Sequence, residues 1–148
     1  MPLMDRYYFE EPRPDEPVLY LAGPTWHPPT EVPWHIEAIE HLRTRDYKGS
    51  VCIPMPRDGR WRDEDGTAQI DWQLDMQRRS KVILFWVPRP GLVTYIEFGD
   101  WYKSGKIVLG TPVGAEKVDY LHDCARRYKI PVSTTVEDTV IQALQLMS

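Results

Sequence analysis

Three carboxylates, at two places in the chain, have the type and spacing that acid–base or nucleophilic chemistry requires. Glu97 follows an apolar run, Lys81–Val87, whereas Asp71 and Asp75 lie four residues apart, one helical turn, in a segment with helical spacing. A positioned carboxylate can act as a nucleophile or as a general acid or base. Because ligands of open α/β sheets bind beyond the carboxyl ends of the strands, Glu97 is the leading candidate.

A second interpretation of Glu97 is purely structural. Thr94 and Glu97 have the spacing of a capping box, in which the two side chains bond the first backbone N–H groups of a helix. On this interpretation Glu97 lies in the first turn and favours the positive end of the helix dipole. The pattern of these two residues permits both a cap and a catalytic group.

The elements that must position these carboxylates alternate between strands and helices. Strands are predicted at Val18–Ala22, Val51–Ile53, Lys81–Val87, Ile107–Leu109 and Ile130–Val132. Helices are predicted from Pro33, over 68–79, from Thr94, over 116–128, and after a second capping box, Thr134 to Glu137. This alternation predicts an α/β fold of one domain, with five parallel strands and helices on both faces of the sheet.

Composition narrows the function. The chain has 148 residues and a net charge of −4, which favours a small-molecule ligand over a nucleic-acid polymer. Residues 1–17 are rich in Pro and Glu and predict a flexible N-terminal arm before a domain spanning 18–148. With no apolar run suited to a membrane or a signal peptide, we expect a cytoplasmic protein.

Several familiar sites are excluded by spacing. Gly99 and Gly105 do not form a Walker phosphate loop, because Lys106 is followed by Ile107 rather than Ser or Thr. No GxGxxG follows the first strand, and His35 and His41 lie six residues apart, where a helical zinc pair needs four. Carboxylate chemistry remains the leading interpretation.

Four segments together resemble the nucleoside 2-deoxyribosyltransferases and the related nucleoside and nucleotide N-glycosidases. The segments are VLYLAGPTW (18–26), IDWQLDM (70–76), VILFWVP (82–88) and TYIEFGDWYKSGKIVLGTP (94–112), joined by a Tyr-containing segment around Tyr120. The resemblance implies a flavodoxin-like, Rossmann-like domain and a homo-oligomer, dimeric or higher, whose neighbouring subunit completes each active site. It also implies that no metal or cofactor takes part.

The same resemblance assigns roles to the carboxylates. Glu97 matches the family's nucleophile, and Asp71 lies closest to its general acid, with Asp75 as the alternative and Trp72 at that position if the alignment slips by one residue. The chain departs from the better-studied transferases at Gly91, where they often carry another Asp. The matching motif favours a nucleophile over a cap at Glu97.

The remaining candidates would bind the substrate. Trp26 is the preferred aromatic for stacking on a nucleobase, and Arg57, Arg60 and Arg62 could clamp a 5′-phosphate or could pair with neighbouring acids. The further substrate-binding candidates are Gly23, Pro24, Thr25, Trp72, Thr94 and Tyr120. Ala115–Tyr120 is the candidate segment for reaching a neighbouring subunit.

The expected activity is transfer of 2-deoxyribose between nucleobases through a covalent glycosyl ester of Glu97. Two alternatives stay open: hydrolysis of the N-glycosidic bond of a nucleoside or nucleoside 5′-monophosphate, and a non-catalytic nucleotide-binding sensor. The expected partners are a nucleoside or nucleotide and a free nucleobase, with the free nucleoside favoured.

Overall fold

Six parallel strands form one sheet in the computed structural model, which describes residues 2–24, 33–61 and 66–148. Within these residues the strands are β1 (Met4–Tyr7), β2 (Val18–Ala22), β3 (Ser50–Ile53), β4 (Val82–Trp86), β5 (Ile107–Gly110) and β6 (Val132–Ser133). The helices are α1 (Trp34–Thr44), α2 (Gly66–Arg79), α3 (Leu92–Trp101), α4 (Asp119–Tyr128) and α5 (Val136–Met147). The predicted α/β class and parallel sheet are confirmed.

The order of the strands locates the natural ligand site. The order is β1-β3-β2-β4-β5-β6, so the chain builds outward from β2 in one direction and from β4 in the other. Without β1 this is the doubly wound order of a flavodoxin-like sheet, whose ligands bind where the direction reverses. That switch point lies between the carboxyl ends of β2 and β4, which pair through Ala22 and Phe85.

The first strand corrects the predicted count of five. Residues 1–17 lack strand periodicity, yet Met4–Tyr7 pairs in parallel with Ser50–Ile53. An edge strand needs only one hydrogen-bonded neighbour and little alternation of apolar and polar residues. Pairing with β3 therefore overrides the weak strand pattern of residues 4–7. The buried carboxylate of Glu16 reinforces the attachment, because it accepts hydrogen bonds from Arg6 on β1 and from Ser50 on β3.

Helices cover both faces, as expected. One apolar core packs α1 and α5 against one face of the sheet, and a second core packs α2, α3 and α4 against the other. The side chains of β2 and β4 are buried throughout, which explains their continuous apolar runs. Cys52 and Cys124 are free and buried.

Several helix starts differ from the predictions: α2 begins at Gly66 rather than at 68, and α4 begins at Asp119 rather than at 116. The final helix is capped by Thr135, whose hydroxyl accepts from the backbone N–H of Asp138, rather than by the box from Thr134 to Glu137. Helix α3 begins at Leu92 with Gly91 as its N-cap, two residues earlier than the pattern from Thr94 indicates. Apolar spacing locates a helix well but its first residue poorly, because several residues can begin the same turn.

None of the helices in the described part of the chain has the length and apolar character needed to cross a bilayer.

Candidate active site

An open cavity of about 680 Å³ lies at the switch point and contains Glu97. Gly23 and Pro24 contribute the wall after β2, and the loop and helix after β4 contribute Gly91, Thr94 and Glu97 itself. The volume is typical of a site for a small organic molecule.

Close packing of the backbone shapes this corner of the sheet. A side chain on Gly23 would collide with the carbonyl oxygen of Trp86 and would lie 2.8 Å from Cζ2 of Trp34. The indole N–H of Trp34 donates to the carbonyl oxygen of Pro24 at 3.3 Å, which holds the turn after β2 in place. Glycine therefore allows β2 and β4 to meet closely beside the cavity.

Glu97 is not a helix cap. Gly91 occupies the N-cap position with extended backbone angles and no side-chain cap, so Glu97 is the sixth residue of α3 and lies in its second turn. Thr94, the other half of the supposed capping box, is 2% exposed and lines the cavity. The structural interpretation and the first-turn placement are therefore wrong, because the helix begins earlier and directs both side chains toward the cavity.

The environment of Glu97 favours its protonated form more than water does. Burial raises the pKa of the carboxyl group to about 7; a hydrogen bond from Gln77 opposes the shift and the charge of Asp100 adds to it. Near neutral pH the group therefore exists in both forms. A carboxylate that is poised in this way and faces a cavity is typical of catalytic sites.

Tyr20 and Gln77 surround Glu97 and did not emerge from the sequence patterns. Gln77 is fully buried, and its amide Nε2 donates to Oε2 of Glu97. The hydroxyl of Tyr20 is buried and makes no hydrogen bond of good geometry within the described residues. Burial, and secondly the charge of Glu97, raise the pKa of Tyr20 well above its usual value.

Helix α2 presents glutamines to the cavity rather than aspartates. Gln69 and Gln73 line the cavity, and Gln77 continues the same row toward Glu97. Residues spaced by four share one face of a helix, so this row was visible in the sequence as a repeat of glutamine. Amide side chains of this kind can donate and accept hydrogen bonds along the edge of a nucleobase.

The two predicted acids lie elsewhere on the same helix. Asp71 and Asp75 are exposed, neither lines the cavity, and Asp75 pairs with Arg78 at 2.8 Å. Their positions are rotated about 200° from Gln73 and Gln77 at 3.6 residues per turn. The structure therefore does not bring either aspartate to Glu97.

Two of the aromatic residues that were predicted to bind the substrate also lie away from the cavity. Trp72 is buried in the core, where its indole N–H donates to the carbonyl oxygen of Glu10 at 3.1 Å. Tyr120 is 80% exposed and lies in a separate groove between α3 and α4. Trp61 does line the cavity, 6.2 Å from the ring of Tyr8, and becomes the described aromatic best placed to stack on a base. Thr25 and Trp26 lie outside the described residues.

The predicted phosphate clamp is not assembled at the cavity. Arg57 donates to Glu10 at 2.7 Å and to Asp5 at 3.1 Å, and it also stacks over Tyr7. Arg60 is exposed and does not line the cavity, and Arg62 lies outside the described residues. Arg57 therefore ties the loop after β3 to the N-terminal segment. Among the described residues, Arg89 contributes a cationic side chain to the lining of the cavity, and no motif had indicated it.

Comparison with known families agrees with the geometry. The family model described as nucleoside 2-deoxyribosyltransferase like matches residues 16–115, which is more than half of the chain and includes the whole β2 to β4 switch point. The chain belongs to this family. No curated protein matches it.

The matched range can be compared with the positions of the residues in the candidate site. Glu97, Gln77 and the cavity residues named above all fall within residues 16–115, whereas β1 and Tyr120 fall outside. The family relationship therefore covers the part of the fold that holds the buried carboxylate. The N-terminal strand β1 lies outside the matched residues.

Proposed function

We propose that the protein transfers 2-deoxyribose from a deoxynucleoside to a second nucleobase, with Glu97 as the nucleophile. The observation that supports this most directly is the partly buried carboxylate of Glu97, with a pKa of about 7, in a cavity at the switch point of the family's fold. A buried carboxylate that is ionised above this pKa has lost part of its solvation and is a stronger nucleophile than one in water.

The reaction has two balanced steps. An oxygen of Glu97 bonds to the anomeric carbon while the bond from that carbon to the base nitrogen breaks, and the base leaves with the electron pair and takes a proton from water. A nitrogen of the incoming base then attacks the same carbon, the ester bond to Glu97 breaks, and the incoming base releases a proton to water. Two displacements at one carbon give net retention of configuration.

Other groups in the cavity would bind the two ends of the substrate. Trp61 offers an aromatic face for the base, and Gln69 and Gln73 offer amides for its edge. The described lining contains no carboxyl group besides Glu97, so we assign protonation of the leaving base to water that enters the open cavity.

The test is turnover of a panel of deoxynucleosides and their 5′-monophosphates, with and without a free base, followed by chromatography of the products. We expect a new nucleoside in the presence of free base, and a rise of kcat/KM with pH through an apparent pKa near 7 as Glu97 ionises. Release of free sugar without exchange would identify hydrolysis instead. Binding of nucleotides without any turnover would identify the sensor.

Glu97→Gln should reduce turnover by at least about 1,000-fold, because the amide cannot form the ester. Mass spectrometry of the parent protein, mixed briefly with substrate, should show one added deoxyribosyl group that the variant lacks. Glu40→Gln is the matched control, since Glu40 is exposed on α1 and pairs with Arg43.

The folded state of Glu97→Gln can be checked independently. The raised pKa of Glu97 means that its ionisation opposes folding, so the parent loses stability as the pH rises from about 4.5 toward 7. At about pH 8 the parent carries the full loss of stability that ionisation of Glu97 causes. We therefore expect the variant to be at least as resistant to urea as the parent at this pH. Turnover of this folded variant within threefold of the parent would exclude the nucleophile.

A further inference from the structure

Gln77 forms a bridge between Glu97 and Trp101. Its side-chain Oε1 accepts from the indole N–H of Trp101 at 2.8 Å, and its Nε2 donates to Oε2 of Glu97. The three side chains come from α2 and α3, on the same face of the sheet. Gln77 is fully buried, so its amide exchanges little with water.

Trp101 fixes the direction in which the amide points. An indole N–H can only donate, so the atom of Gln77 that faces it must be the oxygen. The NH₂ group is thereby directed at Glu97. A glutamine without this partner could present either end of its amide to the carboxylate.

The backbone of Gln77 is also held. The ammonium group of Lys106 donates to the carbonyl oxygens of Gln77 at 2.6 Å and of Ser80 at 2.9 Å, and it lies 4.4 Å from the centre of the Trp101 ring. The hydroxyl of Ser80 donates to the carbonyl oxygen of Gln77 at 2.7 Å. The backbone and the side-chain amide of Gln77 are therefore both held in place by hydrogen bonds.

We propose that Gln77 is a positioning residue, which holds Oε2 of Glu97 so that Oε1 is the oxygen that attacks the substrate. This rests on the proposed nucleophilic role of Glu97. A carboxylate that rotates freely offers its attacking lone pair in the required direction only part of the time, and an orienting hydrogen bond removes that loss.

The other polar groups around Glu97 do not duplicate this role. The Tyr20 hydroxyl from β2 lies near the carboxylate without a well-formed hydrogen bond, and Asp100 on α3 acts only through its negative charge. Arg89, in the loop after β4, lines the cavity, whereas Lys106, at the start of β5, reaches the carboxylate only through Gln77. Gln77 therefore supplies the direct donor.

Gln77→Met tests the proposal, because methionine preserves the length of the side chain and removes the amide. We expect kcat to fall by about tenfold or more with little change in KM. We also expect the acidic limb of the pH profile of kcat/KM to move to higher pH by about one unit or more, because the variant loses a hydrogen bond that stabilises the ionised form of Glu97. A purely structural residue would not move this limb.

Two further variants keep the test informative. Gln77→Met leaves the indole N–H of Trp101 without its acceptor, so the double variant Gln77→Met/Trp101→Phe removes both groups and should show the same shift in a protein that folds more readily. Gln145→Met is the matched control, because Gln145 is an exposed glutamine on α5 that does not line the cavity. We expect the pH profile of Gln145→Met to match that of the parent.

A measurement without substrate separates the two proposals. The pKa of Glu97, followed by NMR of ¹³C-labelled glutamate with Glu97→Gln as the assignment control, should rise in both Gln77 variants whether or not turnover is detected. If the parent turns over substrate and the folded variants keep its kcat and its acidic limb, Gln77 does not position the nucleophile. If the parent turns over no substrate, the proposed function fails. In that case, an unchanged pKa of Glu97 in the Gln77 variants would still show that Gln77 does not stabilise the ionised carboxylate.

Discussion

At the scale of single residues, the described lining of the cavity contains one carboxyl group, where the family resemblance implies two. Glu97 lies in the cavity wall with a pKa of about 7, but Asp71 and Asp75 face away from it on α2. The face of α2 that lines the cavity carries Gln69 and Gln73 rather than either aspartate. An amide can orient a leaving base by hydrogen bonds but has no proton to give at neutral pH.

Removal of the two aspartates should therefore have little effect on turnover. We expect Asp71→Asn and Asp75→Asn each to keep kcat within about threefold of the parent across the pH range, because neither side chain lines the cavity that contains Glu97. Steady-state kinetics on a single deoxynucleoside would measure this. A fall of 100-fold or more for Asp71→Asn, with the fold intact, would restore Asp71 as the general acid.

At the scale of secondary-structure elements, a buried ionic cluster attaches β1 to the rest of the sheet. Glu16 is completely buried at its side chain and accepts from Arg6 at 2.9 Å, from Arg13 at 3.1 Å and from the Ser50 hydroxyl. Burial by itself would raise the pKa of Glu16, but the hydrogen bonds from Ser50, Arg6 and Arg13 outweigh it and lower the pKa to about 2. The cluster thus requires an ionised Glu16.

This attachment should weaken in acid. A carboxyl group whose pKa is lower in the folded state contributes stability that is complete above its unfolded pKa of about 4.5 and is lost as the pH falls toward 2. We expect Glu16→Gln to cost about 3 kcal/mol at neutral pH and to flatten the stability profile over that interval. Urea titrations of parent and variant at a series of pH values would measure both effects.

Glu37→Gln is the control for that experiment. Glu37 is half exposed and lies 3.4 Å from His41 in a surface pair, so its replacement should change stability by less than about 0.5 kcal/mol. Equal acid profiles for Glu16→Gln and the parent would show that the cluster does not control the acid stability of the fold.

At the scale of the whole molecule, an apolar strip lies exposed beside the active-site cavity. Leu92 is 79% exposed, Val93 60% and Ile96 64%, all on the first turns of α3. Exposed apolar clusters of this kind mark interaction surfaces. The homo-oligomer implied by the family remains a prediction, and this strip is the surface that we assign to it.

Ile96→Glu should disrupt that association. Ile96 does not line the cavity, so a charge at this position should act on the contact between subunits rather than on substrate binding. Size-exclusion chromatography with light scattering should show a dimer or larger assembly for the parent and a smaller species for the variant. Ile36→Glu, a half-exposed position on α1, is the matched control. A parent that is an active monomer at micromolar concentration would overturn the prediction.

The sequence by itself determined the class of the fold and the leading residue of the site. Apolar runs such as Val82–Val87 must be buried on both faces, and a strand of that kind followed by a helix places Glu97 at the carboxyl edge of a parallel sheet. These inferences depend on local periodicity and on the covalent order of the chain. They require no knowledge of how distant segments pack.

Only the tertiary structure decided which side chains surround Glu97 and which acids lie away from it. Whether a helix directs Asp71 or Gln73 at the cavity depends on a rotation of α2 that packing of Trp72 and Met76 in the core fixes. Gln77 lies 24 residues from Trp101 and 29 from Lys106 in the chain, so these contacts exist only where the fold brings α2 and α3 together. The pKa of Glu97 is decided at the same stage, because burial, which raises it most, is a property of the packed protein and not of the residue.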